Sequence, residues 1–285
     1  MTIPREIQKT KNFIRGFHAP HDIKAPIIHV SGLNARYDSG PALVDITFEL
    51  KAGDRVAVVG PNGAGKSTLF KVLAGVHPAS AGEVKIFGHG PGGHTCIAYL
   101  PQRSQVDWNF PVTVGDVVMM GRIGKIGLFR WPKAEDWTYV QQCLTAVALD
   151  SLAGRQIREL SGGQQQRMFI ARALAQEAEL MLMDEPITGL DIQSQDDIFH
   201  ILNMLQERNV TVMVSMHDLE MAAQYFDRVL LLNRRLIGNG PPEEVFTSDH
   251  LQLAYGSHLR IMDADGVLLA VNDTCCDDGV IPNET

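Results

Sequence analysis

Short apolar runs alternate with longer mixed stretches through most of the chain. Arg55-Val56-Ala57-Val58-Val59 is a run of five residues ending at Gly60, which reads as a strand buried on both faces. Ile27–Val30, Ala42–Leu50, Glu83–Phe87 and Cys96–Leu100 also read as strands, being apolar or alternating and rich in β-branched residues. Lys66–Ala74 reads as a helix, stopped by Gly75 and Pro78. From Ser104 to Glu159 the pattern turns mostly helical, with helices near Val114–Gly121 and Glu135–Val147. A helix over Gln164–Gln176 follows. Strand and helix then alternate as Leu180–Met183, Ile192–Glu207, Val210–Ser215, Leu219–Tyr225 and Val229–Leu232. Such alternation predicts parallel strands joined by crossover helices, an α/β fold with a helical subdomain at about 104–159 inserted into the sheet domain. Near the end, Leu259–Met262 and Val267–Val271 flank Asp263-Ala264-Asp265-Gly266, a predicted hairpin.

Composition narrows the class. The 285 residues can bury a large core, and 45 % apolar with 20 % charged residues is ordinary for a globular protein. No run approaches the roughly 18 apolar residues that a membrane helix needs. The first residues lack the apolar segment of a secretory signal, so a cytosolic location is expected. A net charge of −8 argues against a nucleic-acid surface. That charge is uneven. Arg5, Lys9, Lys11, Arg15 and Lys24 outweigh Glu6 and Asp22 within 1–26, a net of +3 that leaves −11 for the remainder. Residues 1–25 are expected to be a flexible basic extension, with contact to anionic lipid as the alternative. Cys96, Cys143, Cys275 and Cys276 have neither disulfide-framework nor zinc-finger spacing, so reduced thiols are expected. His18 and His21 form a loose pair in the extension and are not read as metal ligands.

Six places carry chemistry. Gly60-Pro61-Asn62-Gly63-Ala64-Gly65-Lys66-Ser67, followed by Thr68, lies between a buried strand and a helix. There the glycines let backbone N–H groups wrap phosphates, Lys66 reaches the β- and γ-phosphates, and the Ser67 hydroxyl suits Mg2+. Leu180-Met181-Leu182-Met183-Asp184-Glu185 ends four apolar residues with two carboxylates, and a parallel strand delivers its end to the ligand crevice. Asp184 is expected to hold Mg2+ through water and Glu185 to act as general base. Leu160-Ser161-Gly162-Gly163-Gln164 opens a helix. Its bare amides and the helix dipole make a second anion site, while Ser161 with Gln164 also reads as an ordinary capping box. His217 and Gln102 each follow a strand, where His217 suits a γ-phosphate or attacking water and the Gln102 amide suits Mg2+ or water. Tyr37 is placed to stack on a purine, with strand packing as the plainer alternative.

Taken in order, Tyr37, Gly60–Ser67, Gln102, Leu160–Gln164, Leu180–Glu185, Gly189-Leu190-Asp191 and His217 resemble the motif series of ABC-transporter ATPase subunits. The resemblance spans residues 26 to 260. It implies a P-loop ABC-type nucleotide-binding domain with a mixed sheet core, an antiparallel β-subdomain and an inserted α-helical subdomain. Residues 261–285 are left as a hairpin and acidic tail. ATP and Mg2+ are the implied cofactors. The resemblance also implies a head-to-tail homodimer in which Ser161 and Gly163 of one copy touch the γ-phosphate held by Lys66 of the other. Asp191 is similar to the residue linking the two sites. Thr188-Gly189 stands where Ser-Ala is more usual in the family. Ser161 lies 95 positions after Lys66, which leaves no room for the coiled coils of chromosome-structure ATPases.

Gln105–Val114, with Val117-Val118-Met119-Met120-Gly121-Arg122, resembles the manganese, zinc and iron group of importers. Work with separate membrane permease subunits, and indirectly with a solute-binding protein, is therefore implied, at the cytoplasmic face of the membrane. Trp108 and Phe110 are expected either to line the permease groove or to be core aromatics. The alternatives are a siderophore or cobalamin importer, a two-component exporter, or a soluble ATPase that remodels protein or nucleic acid.

Overall fold

A computed structural model describes residues 25–94, 96–127, 130–256 and the backbone of 259–264 and 267–272. The readings placed on the basic extension, on His18 and His21, and on Cys275, Cys276 and the acidic end lie outside the described residues. Strands β1 (Ile28–Tyr37), β2 (Gly40–Leu50) and β3 (Arg55–Val59) precede helix α1 (Lys66–Leu73), which leads to β4 (Ala81–Ile86) and β5 (Ile97–Leu100). Helices α2 (Val114–Met120), α3 (Ile123–Ile126) and α4 (Ala134–Ala146) follow, then α5 (Gly162–Ala175). Next come β6 (Leu180–Asp184), α6 (Ile192–Glu207), β7 (Thr211–Met216), α7 (Leu219–Tyr225), β8 (Arg228–Asn233) and β9 (Arg235–Gly240). Helices α8 (Pro242–Val245) and α9 (Ser248–Tyr255) precede β10 (Leu259–Ala264) and β11 (Val267–Asn272).

The central sheet has the order β5-β6-β7-β3-β8-β9, parallel except for the antiparallel β8–β9 pair. Period-two alternation along its strands builds two cores. Val56, Val58, Leu180, Leu182, Met213, Leu230 and Leu232 face α1 and a second sheet of order β2-β1-β4. Ala57, Val59, Met181, Met183, Val212, Val214 and Leu231 face the helical side, where Met168 and Ile170 of α5 and Ile198 and Leu202 of α6 are buried with them. The continuous apolar runs of β3 and β6 thus reflect burial on both faces.

Several boundaries differ from the pattern-based expectation. The first strand runs to Tyr37, because register shifts after Val30 keep it paired with β2 through Gly32 and polar residues. Strand β9 carries Gly238 and Gly240 and has no apolar run, yet it pairs along β8 after Arg234 turns the chain with φ 55°. The expected hairpin is present as β10 paired antiparallel with β11, Ala264 opposite Val267. Between β5 and α5 the described residues contain helices and turns and no strand of the sheets. That stretch closes on itself, since Val114 N–H donates to Arg155 O and Ile157 N–H donates to Val112 O.

Candidate active site

Four neighbouring parallel strands deliver polar residues at their carboxyl ends. Gln102 comes after β5, Asp184 ends β6 with Glu185 following, His217 comes after β7, and the phosphate loop comes after β3. Side-by-side strand ends in this order form the crevice where open α/β sheets take ligands.

The loop is built for close approach. Gly60 has φ 152°, and a Cβ there would lie 2.0 Å from the Leu232 carbonyl oxygen, so the strand-to-loop corner accepts only glycine. Helix α1 starts at Gly65 with no side-chain cap and no acidic residue in its first turn. Its first amides and its dipole are therefore available to an anion. Lys66 is buried, with Nζ donating to the carbonyls of Gly60 (2.6 Å) and Pro61 (3.2 Å). Burial lowers its pKa, and the nearby charges of Glu185 and Asp184 oppose that fall. Thr68 and Ala64 are buried, Pro61, Gly65 and Ser67 half-buried, and Asn62 and Gly63 exposed, so the loop offers its outer side to a ligand.

Asp184 is fully buried. Its Oδ1 accepts from the Ser215 hydroxyl at 2.6 Å, while Oδ2 is buried with no partner among the described residues. A buried carboxylate oxygen without a donor fits a hydrated cation, so the residues present suit Mg2+. Glu185 takes φ 51°, a left-handed conformation uncommon outside glycine, and its N–H donates to the Ser215 hydroxyl at 2.9 Å. Gln102 is half-buried and His217 is exposed. Tyr37 is 39 % exposed and lies against His77, ring centroids 4.5 Å apart. The His77 contact was not legible in the sequence, because the two rings lie forty positions apart along the chain.

The 161–164 turn lies on the helical side of the sheet. Ser161 accepts from Gln164 N–H at 3.3 Å, and Ser161 N–H donates to the Gln164 side chain at 2.9 Å, so the capping box is formed. Gly163 has a reason of its own within the chain: a Cβ there would lie 2.5 Å from Ser194 Oγ. Ser194 in turn donates from its N–H (3.0 Å) and hydroxyl (2.8 Å) to the Asp191 carboxylate, which those bonds hold below the usual pKa range. Among the described residues, no hydrogen bond joins this turn to the 60–68 loop. Sequence reasoning missed Arg103, which donates to Gln165 at 2.7 Å and lies beside Gly162, tying the segment after Gln102 to α5. The expected aromatic pair divides. Trp108 is half-buried, donates to Arg103 O at 3.0 Å and meets Phe169 edge-on at 5.7 Å, whereas Phe110 is 56 % exposed.

Known proteins place this arrangement in one family. Residues 43–188 match the family model described as ABC transporter. The manganese transport system ATP-binding protein MntB of Bacillus subtilis is 44 % identical over 82 % of this chain and 94 % of its own length. The zinc transport system ATP-binding protein TroB of Treponema pallidum is 44 % identical over 81 % of this chain and 88 % of its own. A solved chain of an ABC transporter assigned to the metal-chelate type, in an inward-facing conformation, is 31 % identical with a TM-score of 0.73, covering 86 % of this chain and 96 % of the other. The chain belongs to the ABC transporter family and is an ATP-binding, ATP-hydrolysing subunit of it. No helix among the described residues is long and apolar enough to cross a membrane.

Proposed function

We propose that this chain powers a membrane importer whose cargo is a divalent transition-metal ion, manganese, zinc or iron. The observation that carries the cargo is the 44 % identity to subunits named for manganese and for zinc transport, over more than four-fifths of the chain. The catalytic unit in this reading is 26–260, docked on permease subunits at the cytoplasmic face of the membrane, with a solute-binding protein supplying cargo from outside. The likeness to a chain of metal-chelate type supports a chelated metal as the second reading.

Two copies face each other head to tail around two ATP. The bare start of α1 and the backbone N–H groups of Asn62–Thr68 hold the phosphates, Lys66 neutralises the β- and γ-phosphate oxygens, and Tyr37 stacks on the adenine. Ser67, Gln102 and Asp184, with its unpaired Oδ2, would hold Mg2+, which when bound supplies charge neutralisation between the phosphates. The Glu185 carboxylate takes a proton from the attacking water as oxygen bonds to the γ-phosphorus and the bond to ADP breaks. His217 donates to the γ-phosphate. Ser161, Gly162, Gly163 and Gln164 of the second copy close the site, and Asp191 with Ser194 joins the two sites.

Uptake by the chain reconstituted with its permease in liposomes tests the cargo. Radiolabelled manganese, zinc and iron salts are expected to accumulate with ATP, one of them by preference. Uptake of a chelate with none of the free ions would overturn the first reading in favour of the second. Glu185→Gln is expected to cut hydrolysis about 10²- to 10⁴-fold while keeping ATP bound.

A further inference from the structure

Ser215 lies where no phosphate-binding motif reaches. It is the next-to-last residue of β7, two positions before His217, and is fully buried. Parallel register sets it directly beside Asp184. A hydroxyl has one proton to donate and two lone pairs to accept with. Here the proton goes to Asp184 Oδ1 at 2.6 Å, and one lone pair takes the N–H of Glu185 at 2.9 Å. A single oxygen thus holds two consecutive residues, one by its side chain and one by its backbone.

Each contact has a consequence. Tying down Oδ1 fixes the rotation of the carboxylate, so that Oδ2 is the oxygen left without a donor. Holding the Glu185 N–H anchors a residue in the left-handed region at φ 51°, a conformation that a glutamate keeps only when its surroundings fix it. An alanine at 215 would remove both hydrogen bonds at once.

We propose that Ser215 is a positioning residue for ATP hydrolysis, setting the Asp184 carboxylate for Mg2+ and the Glu185 backbone for its role as base. This rests on the roles proposed above for Asp184 and Glu185. Hydrogen-bond partners that orient a metal-holding carboxylate in this way typically account for about 10- to 100-fold in metal affinity or activity.

The test compares Ser215→Ala and Ser215→Thr with Glu185→Gln, all in the full chain. A fluorescent ATP analogue is titrated in Mg2+ and in EDTA, and the kcat, the KM for ATP and the Mg2+ concentration for half-maximal rate are measured. Ser215→Ala should bind the analogue in EDTA within twofold of wild type. It should need about tenfold more Mg2+ and lose about tenfold in kcat with KM little changed. Ser215→Thr, which keeps the hydroxyl, should recover most of both losses. Wild-type Mg2+ dependence and kcat in Ser215→Ala overturn the proposal. So does an equal loss of analogue binding with and without Mg2+, or a folded Ser215→Thr no better than alanine. If Glu185→Gln itself turns over at the wild-type rate, the proposed base is wrong, whatever Ser215 does.

Discussion

Burial lowers the affinity of the Lys66 amine for its proton, and the carboxylates of Glu185 and Asp184 recover part of it. A lysine whose folded pKa is depressed costs stability wherever it is charged, below that pKa, and the cost fades as pH rises through it. At neutral pH the empty site therefore carries the penalty, and a phosphate beside the amine removes it. Lys66→Ala loses two hydrogen bonds and some packing but also this penalty, so stability without nucleotide should move by less than about 1 kcal/mol. The stabilisation that ATP adds to wild type should largely vanish, corresponding to at least about tenfold weaker binding, or 1.4 kcal/mol. Thermal melts with and without ATP measure both; a variant still stabilised fully by ATP would remove Lys66 from the phosphate site. At this scale the sequence was legible where chemistry repeats a spacing, as in Gly60–Ser67 and Asp184-Glu185. It was silent at Ser215, because a serine inside an apolar strand acquires meaning only through the register that sets it beside Asp184. Arg103 was hidden for the same reason, since its partner Gln165 is reached across the fold.

Elements were readable in proportion to their burial. Strands β3 and β6 and helix α6 were plain because apolar runs and helical periodicity persist where both faces, or one full face, are covered. Strand β9 was not, since it pairs at an edge through its backbone with two glycines among its six residues. The segment after Gln102 illustrates the limit more sharply. Two aromatics two positions apart looked like one feature, yet packing on Phe169 claims Trp108 while Phe110 stays 56 % exposed. Trp108→Ala is thus expected to lower stability by about 1–3 kcal/mol, less than a full core truncation because the ring is only half-buried. Phe110→Ala should leave stability and basal ATPase activity of the isolated subunit within a few-fold, while weakening permease binding and transport. Denaturant unfolding and co-purification with the permease separate the two. Equal loss of basal hydrolysis and transport in Phe110→Ala would assign that ring to the catalytic unit.

Among the described residues the uncapped start of α1 follows the lysine loop, while the turn at 161–164, proposed as a second anion site, makes no hydrogen bond to that loop. The formed capping box accounts for Ser161 within one copy, so the shared site is best tested by mixing copies. Ser161→Arg should still bind ATP through Lys66 and fail to hydrolyse it. Mixed with Lys66→Ala, it should regain at most one working site per dimer, and normal hydrolysis by Ser161→Arg alone would return the turn to a purely structural role. The sequence placed these parts in order but not in space; their sides of the sheet follow from tertiary packing. Gln102, Glu185 and His217 follow adjacent strands of a sheet packed on both faces, and Lys66 opens the helix after a fourth, so those strand ends keep their spacing as long as the core holds. Motion during turnover must then be borne by what surrounds the sheet. In deuterated solvent, the amides of β3, β6 and β7 should exchange most slowly and ignore nucleotide, while those of 103–127 gain and lose protection with each ATP hydrolysed: a still bench beside a moving arm.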